Sequence, residues 1–334
     1  MDQACDSKAD RHPVSIRLYG SGEPRLLSLE ELHDARPEAD QLLWVDLDGA
    51  STEAVETVWR ALELDAQDKP SAPSKTHPGL WKRHGYFLAR VVAVQPQPQL
   101  NFAGTVLTIV AGKDFVVTQH EDEIDFISTL KAHHAHMLAD AGCLGEGSFV
   151  AALLNWHLST FFDAGARFEI EIERLEQRIL SDNPPGRSAL PRLRQLRAAA
   201  SRLRRMLSPH RVVFDGMSRP DFAPDGDESA AQHLRELDEH YERAMDVVEN
   251  ARELVVGTFQ LFSTQTELQT NERMKLLTFV TVVTGLLAVI AGALGMNFEA
   301  NFFAAKTFGF WIAVAFMVSL GAAAVVIGKR RNWL

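Results

Sequence analysis

The sequence predicts three consecutive regions: an α+β domain, a set of long stalk helices and a C-terminal pair of membrane-spanning helices. Up to about Gly145, short β-branched and aromatic runs bounded by Gly, Pro and Asp alternate with helical stretches. An apolar stripe with helical spacing then runs from Ser229 without a proline. Finally, two segments of about twenty residues lack formal charge, which is the length that crosses a hydrocarbon core of roughly 30 Å. We therefore divide the chain at residues 1–147, 148–275 and 276–334.

The first region alternates strand and helix signals. A helix is predicted to open at Ser51-Thr52 and to run to about Leu62, and Glu121–Leu138 has the pattern of another. Ala66–Pro78 carries three prolines and predicts a connector. The predicted strands are Ser15–Tyr19, Leu42–Leu47, Tyr86–Val94, Val106–Val110 and Phe115–Thr118. Together these signals indicate a mixed α/β domain.

The second region has the pattern of helices that pack against one another. Two groups of apolar residues have the three- and four-residue spacing of a coiled-coil seam: Phe168, Ile172, Leu175 and Ile179, then Leu193, Leu196, Leu203 and Leu207. An unbroken helix over Ser229–Met296 would be roughly 100 Å long at about 1.5 Å per residue. Such a helix cannot be buried in one small domain. We therefore expect a stalk that projects from a membrane and packs against copies of itself or neighbouring helices.

The third region predicts two antiparallel spans. They cover about residues 276–296 and 308–328, and residues 297–307 form a short outer loop between them. Basic residues flank the cytoplasmic ends: Arg273 and Lys275 precede the first span, and Lys329–Arg331 follows the second. The loop carries only Lys306, so the positive-inside rule places both termini and the α+β domain in the cytoplasm. The N-terminus lacks the apolar stretch of a secretory signal, which agrees with this orientation.

The composition excludes several classes of function. A formal net charge of -10 argues against a nucleic-acid partner and is compatible with attracting cations. Two cysteines, Cys5 and Cys143, provide neither a disulfide framework nor a thiolate zinc cage. The sequence contains no nucleophile elbow, no clustered catalytic carboxylates and no cofactor-binding loop. We therefore expect neither an enzyme nor a bound cofactor.

A stripe of mostly small residues marks one face of the first span. Its members are Met274, Leu277, Thr281, Gly285, Ala288, Gly292 and Gly295. Small residues at this spacing allow close packing between membrane helices. They can equally form a pore wall that leaves room for a cation still carrying water. Spacing alone does not separate these two interpretations.

The two spans and their flanks resemble the CorA-type divalent-metal transporters. The resemblance rests on the run Asn271–Glu299, on Gly295-Met296-Asn297 at the outer end of the first span, and on the closing Lys329–Leu334. Leu42–Leu47 and Phe115–Ile127 are also similar to family segments. The resemblance implies an αβα cytoplasmic domain and a homopentameric funnel in which five first spans enclose the pore.

The resemblance also implies roles for single residues. Gly295, Met296 and Asn297 form the selectivity filter, in which a ring of Asn297 amides bonds to the waters of a hydrated cation. Asn297 also suits a helix C-cap, and both roles can coexist. Glu299 matches an acidic position of the outer loop, but the proline and second acid of typical magnesium transporters are absent. The sequence therefore does not decide which metal is transported.

The resemblance also assigns roles to two further sets of residues. Met274 and Leu277 match apolar gate positions, and the rest of the stripe, Thr281, Gly285, Ala288 and Gly292, lines the pore. The stalk also carries three acids, Glu236, Asp238 and Glu239. They resemble a regulatory metal site of the family, and they are equally compatible with a solvated helix face.

We expect a divalent-cation channel of the inner membrane for Mg²⁺, Co²⁺, Ni²⁺ or Zn²⁺. Its partners are other copies of the chain, membrane lipid and divalent cations, which are substrates and possible regulators. The membrane potential drives influx, and cytoplasmic metal closes the pore. One alternative is a proton-coupled zinc-type transporter of the same fold. Another is a membrane-anchored oligomeric metal sensor or scaffold without flux.

Overall fold

A seven-stranded mixed sheet organises the N-terminal part of the chain. The computed structural model describes residues 13–20, 23–38, 41–69, 77–97, 100–133, 146–181, 186–219, 222, 228–295 and 306–330. The strands are β1 (Val14–Tyr19), β2 (Arg25–Leu27), β3 (Leu42–Asp48), β4 (Gly79–Lys82), β5 (Tyr86–Gln97), β6 (Asn101–Gly112) and β7 (Phe115–His120). Their order is β2-β1-β3-β7-β6-β5-β4. The β3–β7 pair is parallel and the other pairs are antiparallel.

Helices cover both faces of this sheet. Helix α1 (Thr52–Ala61) begins after Ser51, whose hydroxyl accepts a hydrogen bond from the Ala54 amide at 3.2 Å. Its apolar side packs on the face that carries Leu43, Val45 and Leu47. Helices α2 (Asp125–His133) and α3 (Glu146–Ile179) lie on the other face, where the ring centroids of Trp44 and Phe149 are 5.5 Å apart. The predicted αβα layering is confirmed, and β3 is apolar except for Asp46 and Asp48 because both of its faces are buried.

The rest of the chain is helical, as the seams predict. The helices are α4 (Ala189–Leu207), α5 (Arg211–Met217), α6 (Glu228–Leu294) and α7 (Lys306–Arg330). The eight seam residues from Phe168 to Leu207 are each at most 4% exposed. Helices α3 and α6 approach closely at Gly165, where an added Cβ would overlap Val247. The long helix is a single element of 67 residues.

The chain divides into two units. One contains Met1–Leu175 and Ser188–Thr258, and the other contains Glu176–Arg187 and Phe259–Leu334. Two of the described helices, Ala230–Ala293 and Gly309–Arg330, are long and apolar enough to cross a membrane. Their most apolar stretches are not buried within the chain, as lipid-facing helices require.

The structure corrects several element boundaries. Strands β2 and β4 are absent from the prediction, and β5 continues past Val94 to Gln97. Pro96 does not end β5 because β4 pairs only as far as Arg90, which leaves this end of β5 at the sheet edge. The helix predicted from Glu121 begins at Asp125, and its predicted end at Leu138 lies outside the described residues.

Candidate functional site

The membrane hairpin uses one face of α6 to contact α7. Partly buried positions recur at three- and four-residue intervals on α6, at Phe279, Val283, Leu287 and Ile290. A Cβ added at Gly321 of α7 would lie 3.9 Å from Leu287 Cδ1, an ordinary van der Waals distance. Leu287 and Gly321 therefore mark a point where the two helices meet.

The predicted pore stripe lies on the opposite face of α6. Met274 and Leu277 are 55% and 60% exposed. Gly285 and Gly292 face open space, since no described atom lies within 4 Å of a Cβ added at either position. At about 100° per residue, the mean direction of the stripe is about 160° from the face that contacts α7. Within one chain, the stripe is therefore not used for packing the hairpin.

The remaining stripe residues fit the same description. Thr281 and Ala288 are exposed, and the Thr281 hydroxyl donates to the Leu277 carbonyl at 2.8 Å. This bond satisfies the hydroxyl inside an apolar span without a partner helix.

The predicted filter begins at the end of α6. The helix ends at Leu294, and the Gly295 amide donates to the carbonyls of Ala291 and Gly292 at 3.0 and 3.2 Å. Met296, Asn297 and Glu299 lie outside the described residues. Their roles remain predictions.

The three acids predicted to bind regulatory metal do not share one environment. Glu236 lines a cavity of about 130 Å³ between α3 and α6, together with His233 and His240. The Glu239 side chain is 76% exposed and lies 3.9 Å from Arg243. Across the described ranges, no three His, Cys, Asp or Glu side chains are grouped to hold a metal ion.

Sequence reasoning gave no role to the two histidines beside Glu236, although His240 belongs to a helix segment that resembles the family. His233, Glu236 and His240 follow an i, i+3, i+7 pattern that places them on one helix face. In the structure, His233 Nδ1 lies 3.2 Å from the Ser148 hydroxyl, and His240 Nδ1 lies 2.5 Å from the Asn155 side-chain oxygen. Helix α3 thus supplies partners to both rings.

A comparison of the whole sequence with known proteins decides the family. Residues 39–330 match the family described as CorA-like Mg2+ transporter protein. The chain belongs to this family. The resemblance inferred from the two spans is thereby confirmed, and the two long apolar helices agree with the membrane location of CorA-type transporters.

Two members of the family are similar to this chain over different lengths. The cobalt/magnesium transport protein CorA of Thermotoga maritima is 28% identical over 183 residues, which are 55% of this chain and 51% of that protein. The cobalt/magnesium transport protein CorA of Methanocaldococcus jannaschii is 21% identical over 299 residues, which are 88% of this chain and 92% of that protein.

A solved structure supports the fold. The complete structure of the CorA magnesium transporter from Methanocaldococcus jannaschii aligns with a TM-score of 0.71 at 21% identity. The alignment covers 96% of this chain and 98% of that chain. The predicted fold, an α/β domain followed by a long helix and a C-terminal apolar helix, is therefore confirmed.

Proposed function

We propose that copies of this chain assemble into a membrane channel that conducts divalent metal cations, with Mg²⁺ and Co²⁺ as the first candidates. Membership of the CorA-like family and the names of the two relatives support this choice. The observation that carries the proposal is the exposed stripe of α6, which points away from the face that contacts α7. A face left open by the hairpin is available to border a central axis in an oligomer.

The chemistry of the stripe suits a hydrated cation. Mg²⁺ dehydrates reluctantly, so a wide neutral passage with small side chains lowers the barrier more effectively than a tight ring of carboxylates. In a homopentamer, five copies of Gly285, Ala288 and Gly292 would line this passage. The ring at Asn297 would select the ion through its water shell. Apolar rings at Met274 and Leu277 would close the cytoplasmic end by excluding water.

The membrane potential supplies the driving force. With both termini in the cytoplasm and the chain in the inner membrane, influx of a divalent ion gains roughly 4.6 kcal/mol per 100 mV. Metal bound near Glu236, Asp238 and Glu239 would hold the closed state, because a ligand that prefers one state shifts the equilibrium towards it. Falling cytoplasmic metal would then open the channel.

Ion flux into liposomes tests the proposal. The purified protein should carry Mg²⁺ and Co²⁺ down an imposed inside-negative potential, and Asn297→Ala should change the ratio of the two fluxes. Asn301→Ala is the matched control, since it removes the same side chain four residues further along the predicted loop. Absence of flux from correctly inserted wild-type protein would refute the channel. An unchanged flux ratio in Asn297→Ala would remove the filter.

Cysteine labelling tests the direction of the stripe. In a background with Cys5 and Cys143 replaced by serine, a cysteine at Ala288 should react with a small water-soluble thiol reagent, and the reaction should block flux. A cysteine at Val282, about 120° from Ala288 around α6, should face lipid and react slowly. Equal reaction at both positions would place the stripe away from the water-filled axis.

A further inference from the structure

Arg90 of β5 is a half-buried cation that has no anionic partner among the described residues. Its Nε is buried and, within the described ranges, donates no hydrogen bond and forms no ion pair with a carboxylate. Burial lowers the pKa of the guanidinium, with no neighbouring acid to oppose the shift. Buried charged groups in proteins are normally paired, so an unpaired guanidinium indicates a missing ligand.

An aromatic ring holds the Arg90 guanidinium in place. Its Cζ lies 5.2 Å from the ring centroid of Trp81 on β4, within range of a cation–π contact. Gly79, which pairs with Arg90 across the two strands, makes room for this ring. A Cβ at position 79 would lie 2.5 Å from Trp81 Cη2. The absent side chain therefore lets the indole lie across position 79 towards Arg90.

Arg90 lines a cavity of about 880 Å³ on the sheet face that α1 covers only in part. Thr108 pairs with Arg90, and Gln119 pairs with Thr108, so the three residues form a row across β5, β6 and β7. At about 4.8 Å per strand, the row extends about 10 Å. Gln119 Oε1 is also buried, and no described atom forms a hydrogen bond with it. Two orphaned polar groups thus lie at the ends of one row in one cavity.

The charges around the cavity favour an anion at the Arg90 end. Lys69 at the rim is 3.2 Å from Glu56, so these two charges offset each other. The other lining acids, Glu121 and Asp122, follow the end of β7 beyond Gln119. Among the described residues that line the cavity, Arg90 is therefore a cation without a counterion.

We propose that this cavity binds a small metabolite through a phosphate or carboxylate group held by Arg90. The planar guanidinium offers paired N–H donors that match the oxygen spacing of either group. Thr108 and Gln119 would bond to the body of the molecule. The acids at the far end would accept hydrogen bonds from its hydroxyl or amino groups. This site is separate from the cation pathway, and its test needs no flux.

Binding to the full-length protein in detergent tests the site. Inorganic phosphate and succinate are titrated separately by calorimetry at constant ionic strength, with sodium chloride as the balancing salt. We expect saturable binding of at least one of them, and the tighter anion identifies the class of ligand. Arg90→Gln should weaken that binding by about tenfold or more, because charged hydrogen bonds are lost. Arg60→Gln is the matched control, since Arg60 is an exposed residue of α1 outside the cavity and its loss should leave affinity unchanged.

Two further measurements separate binding from folding. Gly79→Ala should weaken binding without touching the ligand, because it displaces the indole that orients Arg90. Phosphate or succinate should also protect Arg90 of the wild-type protein from phenylglyoxal, as read by peptide mass spectrometry. The proposal is overturned if neither anion binds saturably to the wild type, if Arg90→Gln binds as tightly, or if the anions fail to protect Arg90.

Discussion

Two buried histidines should make the first unit sensitive to acid. The rings of His157 on α3 and His210, just before α5, are 5.0 Å apart, and both side chains are fully buried. Neither ring nitrogen of His157 has a hydrogen-bond partner among the described residues. Its neighbours are apolar rings: Phe161 edge-on at 5.5 Å and Phe214 nearly parallel at 6.4 Å. No described residue therefore offers the His157 ring a hydrogen-bond acceptor that would stabilise a positive charge.

The hydrogen bonds of His210 fix its neutral form. Its Nδ1–H donates to the Leu207 carbonyl at 3.0 Å, and its Nε2 accepts from the Val92 amide at 2.7 Å. The acceptor role of Nε2 requires that this nitrogen carry no proton. Burial lowers the pKa of His210 to about 4. Burial and the adjacent His210 ring lower the pKa of His157 well below its ordinary value.

The pKa of His210 gives the size of the effect. An unfolded histidine titrates near pH 6.5, so below that pH the unfolded chain binds more protons than the folded chain. Stability is therefore lost as pH falls from about 6.5 towards the folded pKa. With a folded pKa of about 4, His210 alone removes about 2 kcal/mol between pH 7 and pH 5. His157 shifts in the same direction and adds to this loss.

Replacing His157 with phenylalanine should reduce the acid sensitivity. The substitution keeps an aromatic ring between its neighbours and removes two nitrogens that lack partners. We expect a gain on the order of 1 kcal/mol at pH 7, since an unsatisfied buried polar group costs about 1–3 kcal/mol and the larger ring offsets part of the gain. We also expect a smaller loss between pH 7 and pH 5. His84→Phe is the control, because His84 is exposed.

Urea unfolding of the full-length protein in detergent measures both quantities. The fluorescence of Trp44 and Trp59, which are buried in the first unit, reports its unfolding at each pH. His157→Leu repeats the test with a smaller side chain, in case the phenylalanine ring is too large. If both variants lose as much stability as the wild type between pH 7 and pH 5, His157 does not contribute to the acid sensitivity and the reasoning is wrong.

Four other substitutions test the packing and the buried charges. Asp46→Asn should destabilise the first unit by about 3 kcal/mol at pH 7 in urea unfolding, because the carboxylate is buried and forms an ion pair with Lys131. In the wild type, the raised pKa of His120 stabilises the folded state below about pH 6.5, and this contribution is lost as pH rises through that raised pKa. Asp46→Asn should lack this contribution. Gly165→Val should cost about 1–3 kcal/mol by the same assay, since the new side chain overlaps α6. Gly321→Ala should leave the detergent melting temperature unchanged, whereas Gly321→Phe should lower it by forcing α7 away from α6; equal melting temperatures would contradict the hairpin contact.

The charge network around Asp46 explains the first of these expectations. Asp46 Oδ1 accepts from the Thr118 hydroxyl at 2.5 Å and lies 3.2 Å from His120 Nε2. The other ring nitrogen of His120 lies 2.8 Å from the Asp122 carbonyl, so both nitrogens face acceptors. Hydrogen bonds and charge from Asp46 raise the pKa of His120 despite its burial, and the same contacts with His120 and Lys131 lower the pKa of Asp46. The removal of one charge leaves the others buried without compensation.

Local patterns were sufficient to predict the regions of the chain. The charge-free stretches after Leu276 predict the two apolar helices, and the seams from Phe168 to Leu207 predict buried helix faces. The N-cap at Ser51 was also predicted, and its hydroxyl bonds to the expected turn. Each of these signals resides in residues that are neighbours along the chain. The boundaries of β4 and β5 were less predictable, because strand ends depend on partner strands.

The functional groupings depended on tertiary structure. The sequence identified the stripe of α6, but only the position of α7 shows that the hairpin leaves that stripe open. Asp46 meets His120 across 74 residues, and Val92 meets His210 across 118. Arg90 gives no sign in the sequence that it lacks a partner. Local composition and periodicity determine which segments form helices, strands and spans. The burial and pairing of a charge depend instead on groups that are distant in sequence, because only the folded chain brings those groups together.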